Sequence, residues 1–426
     1  MTDAAMAALA KRGASLTRLE IAGTEVGPVG VQALAPLTGL RVFDVGATAV
    51  TDDALVVLEG FEQLESLSLA NTVTTDVGLE HLRKLARLTS LNLSETRVTD
   101  AGLAGLESAT HLEALLLSST SITDVTGRRL AQLKALRLLD LGETKVTNET
   151  ARVVGTLVAL EELSLSKTDV DDFGVSALKG LVALRSLDLE KTQVSSTSLS
   201  SIGALVKLRS LDLSGDLLHD AKFSDLIALT ELDTLRVANS FLSSEALREL
   251  PNAARLKTLD LSGLPVTDVE AQWLAKNAPR LELLKLNFTK VGDAGLEALS
   301  ALTELRRLDL GRSGITDAGL TFIVRAPRLS SIDLGLCMSL TANGLRVLWK
   351  SRLESVFLAG TVADDELVAG LPKSVRTVGL MKSKVTRAAI PSLVALPVLR
   401  EVDVRELGLS DDDVKVLRAR EVLVRN

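Results

Sequence analysis

A single cysteine, Cys337, stands in the 426-residue chain, so no intrachain disulfide can form. Tyrosine is absent and aromatic residues make up only 2%, so each exposed large side chain is informative about contacts beyond the core. No run of about 20 apolar residues is present to cross a bilayer as a helix. Met1–Met6 has neither the basic start nor the apolar stretch of a secretory leader. Phosphate-loop, HExxH and GxSxG motifs are missing. No stretch reads as a linker or as low-complexity sequence. These absences point to a cytoplasmic protein with no cofactor, no metal and no catalytic centre.

The formal net charge is -7 and the pI about 5.3. Phosphate binding needs a basic stripe, so nucleic acid is not the expected partner. Membrane binding is not expected either, because the helical segments mix charges and show no continuous apolar stripe.

What the chain does contain is one unit, repeated. Leu16, Leu40, Leu64 and Leu88 open copies 24 residues apart, and the same spacing runs on to Leu256. Small slips then carry the register through Leu281, Leu305, Leu329, Leu353, Val375 and Leu399, giving seventeen copies. Such a period predicts a solenoid, in which each repeat packs only on its neighbours. A chain of this length can then be one domain over 1–426. Residues 1–15 form a capping half-repeat, 16–419 the repeats and 420–426 an edge at the far end. A monomer or a weak end-to-end dimer is expected.

The copy at 88–109 shows how the unit folds. Leu88, Leu91 and Leu93 give L-x-x-L-x-L, and the alternation of the last two places them on one side of a short strand. Leu103 and Leu106 continue at helical spacing. Asp100 stands where a helix N-cap belongs, as do Asp52, Asp76, Asp124, Asp172, Asp268, Asp293, Asp317 and Asp411. Every copy runs the same way, so the strands are parallel. Helices are about 10 Å wide and strands pair at about 4.8 Å, so the helical side fans out. The predicted fold class is α/β, a right-handed horseshoe with strands on the concave face and short helices on the convex face. The ninth position is Thr in the first eight copies, from Thr24 to Thr192, and predicts a buried ladder of hydroxyls bridging successive turns.

One copy departs from the others: I-D-L-G-L-C-M-S-L-T-A-N-G-L over 332–345. It resembles the cysteine-containing class of leucine-rich repeats, whose signature is L-x-L-x-x-C-x-x-L-T-x-x-G-L. The remaining copies resemble a related bacterial form with Thr in place of Cys. The resemblance spans essentially the whole chain and implies a horseshoe with a protein-recognition role. It also implies that Cys337 is a buried turn residue. Secreted relatives often carry disulfide-bonded caps, which this sequence does not supply. Many members of the class join the horseshoe to an F-box, but the fifteen residues before Leu16 are expected to leave no room for one. The expected function is a non-catalytic scaffold that binds a protein partner on its concave face. The alternatives are a regulator, similar to leucine-rich inhibitors of nucleases and activators of small GTPases, or the recognition subunit of a ligase or effector whose catalysis lies on another chain.

Two candidate surfaces follow. The fifth position points outward from the strand and forms an acidic column that includes Asp140, Asp188, Asp212 and Asp260. The second position is basic in almost the same copies, at Arg41, Arg137, Arg185, Arg209, Lys257, Arg306 and Arg400. That covariation predicts pairing between the two positions, which would neutralise the column. The second surface gathers large residues at outward strand and strand-exit positions of the later copies: Leu283, Phe288, Arg312, Leu336, Phe357, Met381 and Lys382. Interface energy concentrates in such aromatic, aliphatic and Arg side chains. His81 is placed on a helix, and His111 and His219 in loops. Trp273 and Trp349 are placed in the convex helical layer.

Overall fold

Each L-x-x-L-x-L stretch forms a three-residue strand, and side-chain alternation decides what is buried. In Ser90–Asn92, Leu91 enters the core while Ser90 and Asn92 stay half-exposed. The computed structural model describes residues 1–13, 15–219, 222–250 and 252–426, with backbone alone at 105, 107 and 108. Ala14, at the end of the expected capping segment, and Asp220, in the irregular copy, lie outside the described residues. The contacts define two units. One comprises Met1–Leu217 with Asp225–Glu231, the other Leu218–Ser224 with Leu232–Asn426.

Among the described residues, the first unit carries nine parallel strands, from Arg18–Glu20 to Ser210–Asp212. The second also carries nine, from Thr234–Arg236 to Leu423–Arg425. Leucines pair with leucines across each sheet, as Leu67 with Leu91 and Leu91 with Leu115. The register holds where copy length changes: Leu259 pairs with Leu284, and Val356 with Val378. The extra or missing residues are therefore absorbed outside the strands. The edge segment after 419 supplies a further strand, Leu423–Arg425, beside Glu401–Asp403.

The helical layer is less regular than the strands. Asp268–Asn277 is a ten-residue α-helix, whereas Asp52–Gly60 is a 3-10 helix. Leucines from both layers close the core, each contributing roughly 1.5–3 kcal/mol of burial. At the N-terminal side the helix Asp3–Arg12 buries Met6, and Asp3 accepts the N–H of Gly27 at 2.7 Å.

The Thr-Asp motif acts differently from the expected cap. In the copies beginning at Asp76, Asp124 and Asp268 the N-cap is the preceding threonine, Thr75, Thr123 or Thr267, whose hydroxyl accepts a backbone N–H of the first turn. The aspartate, first in the helix, reaches into the next copy. Asp76 accepts the N–H of Thr99 at 2.7 Å and its hydroxyl at 2.6 Å. The same double bond links Asp52 to Thr75, Asp100 to Thr123, Asp124 to Thr147, Asp293 to Thr316, Asp317 to Thr341 and Asp365 to Thr386. This strap explains the glycine of T-D-x-G-L. A Cβ on Gly102 would sit 2.4 Å from the Asp76 carboxylate. Where Thr126 or Thr150 replaces that glycine, its hydroxyl donates to the same carboxylate at 2.6 Å.

The ninth-position threonines from Thr48 to Thr192 are buried, but of the hydroxyls expected to bridge successive turns only that of Thr192 is described reaching the next turn, at Asp216. Thr96, Thr120, Thr144 and Thr168 each donate to the carbonyl three residues back at 2.6 Å, closing their own turn. Cys337 takes that place in its copy, buried, with its thiol donating to the carbonyl of Leu310 at 3.2 Å.

Burial pushes the Asp124 carboxyl up, but hydrogen bonds from Thr150 and Thr147 outweigh it and hold the pKa below its ordinary value. This contribution is present above about pH 4 and is lost as pH falls through the lowered value. Asp124→Ala strands four donors at once, and urea denaturation at pH 7 is expected to show a loss of about 2–4 kcal/mol. The exposed neighbour substitution Asp53→Ala is expected to stay within about 0.5 kcal/mol of wild type.

Candidate functional site

The outward positions of each strand are the third and fifth of the copy. The fifth-position aspartates first serve the backbone. Asp44, Asp140, Asp188 and Asp212 each accept the N–H two residues on, at 2.9 Å, and Asp260 does so at 3.0 Å. This Asx-type bond turns the chain out of the strand. The expected pairing with second-position bases does not form. Those bases meet second-position acids of neighbouring copies instead: Arg41 with Glu65 at 3.0 Å, Arg137 with Glu161 at 2.6 Å, and Arg306 with Glu282 at 3.5 Å. The second and fifth side chains lie in separate columns, and the column of second positions mixes both signs of charge.

The acidic track therefore divides. In the second unit cations at outward strand positions neutralise the acids, with the fifth-position Lys285 3.2 Å from Asp260 and the third-position Arg307 3.0 Å from Asp309. In the first unit no described ion pair reaches Asp140 or Asp188. These two line a shallow depression with Leu116, Leu138, Ser164 and Ser186. Burial raises the Asp140 pKa despite bonds from Gly142 and Ser164. Asp216 replaces the ninth-position threonine in the last copy of this unit. It is fully buried, accepts the N–H and hydroxyl of Thr192 at 2.8 and 3.1 Å on one oxygen, and has no partner for the other among the described residues. Burial pushes its carboxyl up to about 7.

The second surface is built on the eighth position, whose backbone is left-handed in copy after copy. In the first unit that position holds small or polar residues such as Gly23, Asn71, Ser119 and Lys167. In the second unit it holds Phe288 at φ 58°, Arg312 at 59°, Leu336 at 57° and Lys382 at 59°. A left-handed conformation costs a residue with a Cβ roughly 1–2 kcal/mol. Phe288 and Leu336 recover little by burial, being 58% and 40% exposed. Arg312 lies over the Phe288 ring, 5.4 Å from its centroid. Leu336 lies over Gly360, where a Cβ would come within 2.4 Å of its Cδ2. Lys382 pairs with Glu406 at 3.0 Å.

The seven residues expected at this surface fall into two rows. Phe288, Arg312, Leu336 and Lys382 share the strand-exit turns, with Met381 half-buried beside Lys382. Leu283 and Phe357 lie on the strand face, half-buried, at third and fifth positions. Phe357 has the Arg307 guanidinium 6.0 Å from its ring centroid. Two further residues of the turn row escaped the sequence reading. Phe241, at φ 59° and 60% exposed, has its ring 5.0 Å from that of His219. Met338, 79% exposed, occupies the lengthened turn after Cys337. Alignment on the threonine column would have shown both. His81 sits on a helix against Glu59, and the Trp349 indole donates to the carbonyl of Leu367 at 3.0 Å. Among the described residues no group of three His, Cys, Asp or Glu is placed to hold a metal. No described helix is long and apolar enough to cross a membrane.

Two measurements check these assignments. The folded pKa of Asp216 lies above the unfolded value, so the unfolded chain releases its proton first as pH rises. Stability should fall between about pH 4 and 7 and then level off. Asp216→Asn is expected to exceed wild type by about 2–4 kcal/mol at pH 8, with the gap closing toward pH 5, in denaturation curves taken across pH. Phe288→Asn, which installs the residue present at Asn71 and Asn239, is expected to keep or raise stability within about 1 kcal/mol. A core phenylalanine would instead lose about 3–5 kcal/mol on truncation.

Comparison with known proteins bears on the fold. An internalin from Listeria monocytogenes is 23% identical, with a TM-score of 0.59, over 78% of this chain and 94% of that one. The TLR13–ssRNA13 complex matches at 19% identity and a TM-score of 0.54, over 88% of this chain and 60% of that one. A leucine-rich-repeat protein of Leptospira interrogans is 18% identical over 99% and 98% of the two chains, with a TM-score of 0.46. No curated protein matches by sequence. A leucine-rich repeat region matches residues 79–423, and a leucine-rich repeat matches 14–35. With its parallel strands, short helices and 24-residue period, the chain belongs to the leucine-rich repeat family.

Proposed function

We propose that the chain is a non-catalytic scaffold that binds a protein partner through the second unit, on the strand face around Phe357 and the turns beside it. Leucine-rich repeats commonly mediate protein–protein interaction. The observation that carries the reading is the exposed pair Phe288 and Leu336, held in left-handed backbone that their bulk disfavours. The repeat imposes this backbone, and Glu95, Glu143 and Lys191 adopt it too; what sets Phe288 and Leu336 apart is the apolar surface left uncovered there. The strand face supports the same location. Leu283 and Phe357 are partly uncovered there, and Arg307 and Lys285 neutralise the neighbouring acids. A reducing, cytoplasmic setting fits the lone buried thiol of Cys337.

Capture from the native lysate tests the reading. Proteins retained by wild type are expected to be lost, by tenfold or more, from Phe357→Asp and from Phe288→Asp. They should be kept by the double reversal Asp188→Lys with Asp212→Lys. Retention by both Asp variants and loss from the double reversal would assign binding to the acidic track of the first unit.

A further inference from the structure

The strand-exit turns of the second unit differ in charge from the rest of the chain. Over the seventh to tenth positions of the copies from Ala238 to Lys384 there are four cations, Lys290, Arg312, Lys382 and Lys384, and no carboxylate, and the last copy of the unit adds Arg405 and Glu406. In the first unit the same positions carry Glu25, Glu95, Glu143, Asp169 and Glu190 among their cations. This basic row belongs to a chain whose net charge is -7. The nearest carboxylates along the chain are Asp293 for Lys290 and Asp309 for Arg312; Asp293 is turned into the next copy and held there by Thr316, and Asp309 is paired with Arg307. Arg312 pairs with no carboxylate among the described residues and presents its guanidinium over Phe288. Lys382 is the cation already engaged, by Glu406.

Spacing narrows what can bind. The N–H of Phe288 bonds the carbonyl of Gly311 at 2.7 Å, that of Arg312 bonds Gly335 at 2.8 Å, and that of Leu336 bonds Ala359 at 2.7 Å. Successive eighth positions therefore step at the strand spacing of about 4.8 Å. Phe288 and Leu336 stand roughly 10 Å apart with Arg312 between them. Three residues of an extended chain cover about that distance.

Resting on the protein-binding reading above, we propose that this row takes an extended acidic segment of a partner protein. Two apolar side chains about three residues apart seat on Phe288 and Leu336. A carboxylate between them meets the Arg312 fork, which suits a bidentate acceptor. Phe241 and Met338 add exposed apolar side chains at tenth positions of the same set of turns. A single-stranded nucleic acid fits less well. Leu336 and Met338 offer no stacking plane, and Arg312 already covers one side of the Phe288 ring.

Random linear peptides displayed on phage and selected on the immobilised full chain test this. The enriched sequences are then synthesised with a fluorescein label and titrated by fluorescence polarisation. Asp and Glu flanked by apolar residues are expected to be enriched, with binding that weakens as salt rises. Arg312→Glu and Phe288→Asp should each weaken it at least tenfold, and Asp188→Lys should leave it unchanged. Both residues are exposed, so an unaltered thermal melt accompanies the loss. Neutral or basic enriched sequences, or no enrichment, overturn the proposal. Loss confined to Phe357→Asp moves binding to the strand face, so the row fails while protein binding stands. Oligouridylate that binds wild type and not Arg312→Glu reassigns the row to nucleic acid.

Discussion

The carboxylate that begins one copy's helix and ends in the next copy's turn is the constraint on which the rest depends. A three-residue strand pairs with its neighbour through few hydrogen bonds, and a helix of one or two turns is weak alone. Where aspartate meets threonine the strap adds two charge-assisted bonds at the side of the copy away from the strand start. In copies such as those at Asp76 and Asp124 the strap's threonine, once held, also caps its own helix. The strap also demands an open space in the following copy, which explains why Gly102 carries no side chain. Capping, spacing and the glycine of the motif are one interaction seen from three residues.

Much of this architecture is legible in the order of residues. The leucine period sets the strands, and their alternation sets which side is buried. The Thr-Asp pair marks helix starts correctly but conceals its partner, because Asp76 and Thr99 are 23 residues apart. Local spacing does not say which of two adjacent polar groups points inward and which crosses to the neighbour. Charges at the second and fifth positions covary, yet Arg41 meets Glu65 and not Asp44. The like-charge conflict that an acid at both positions would create is enough to produce the covariation without contact. The large residues of the second unit stand out by composition, but their strain does not. It becomes readable only in column, where Gly23, Asn71 and Gly215 mark the eighth position as left-handed before Phe288 and Leu336 occupy it.

The two outward rows of the second unit are satisfied to different degrees. On the strand face, Asx turns and neighbouring cations account for most of the polar groups, leaving Leu283 and Phe357 as the apolar exceptions. On the strand-exit turns the eighth-position N–H groups are bonded to the next copy while the side chains of Phe288, Arg312, Leu336 and Lys382 are left outside. The repeat needs only a backbone conformation at the eighth position, so its side chain is free to vary from copy to copy. That freedom is where the two units diverge.

The strap also runs in one direction, from each copy to its successor. Asp317 spans 24 residues to Thr341, and Asp365 spans 21 to Thr386, yet both make the same pair of bonds. Hook and eye thus keep their fit while the loop between them lengthens or shortens. Excising whole modules between two Asp–Thr junctions would join a hook to an equivalent eye, whereas a cut through a module would orphan one of each. A gene encoding such an array can grow or shrink in quanta of one module without redesigning a junction.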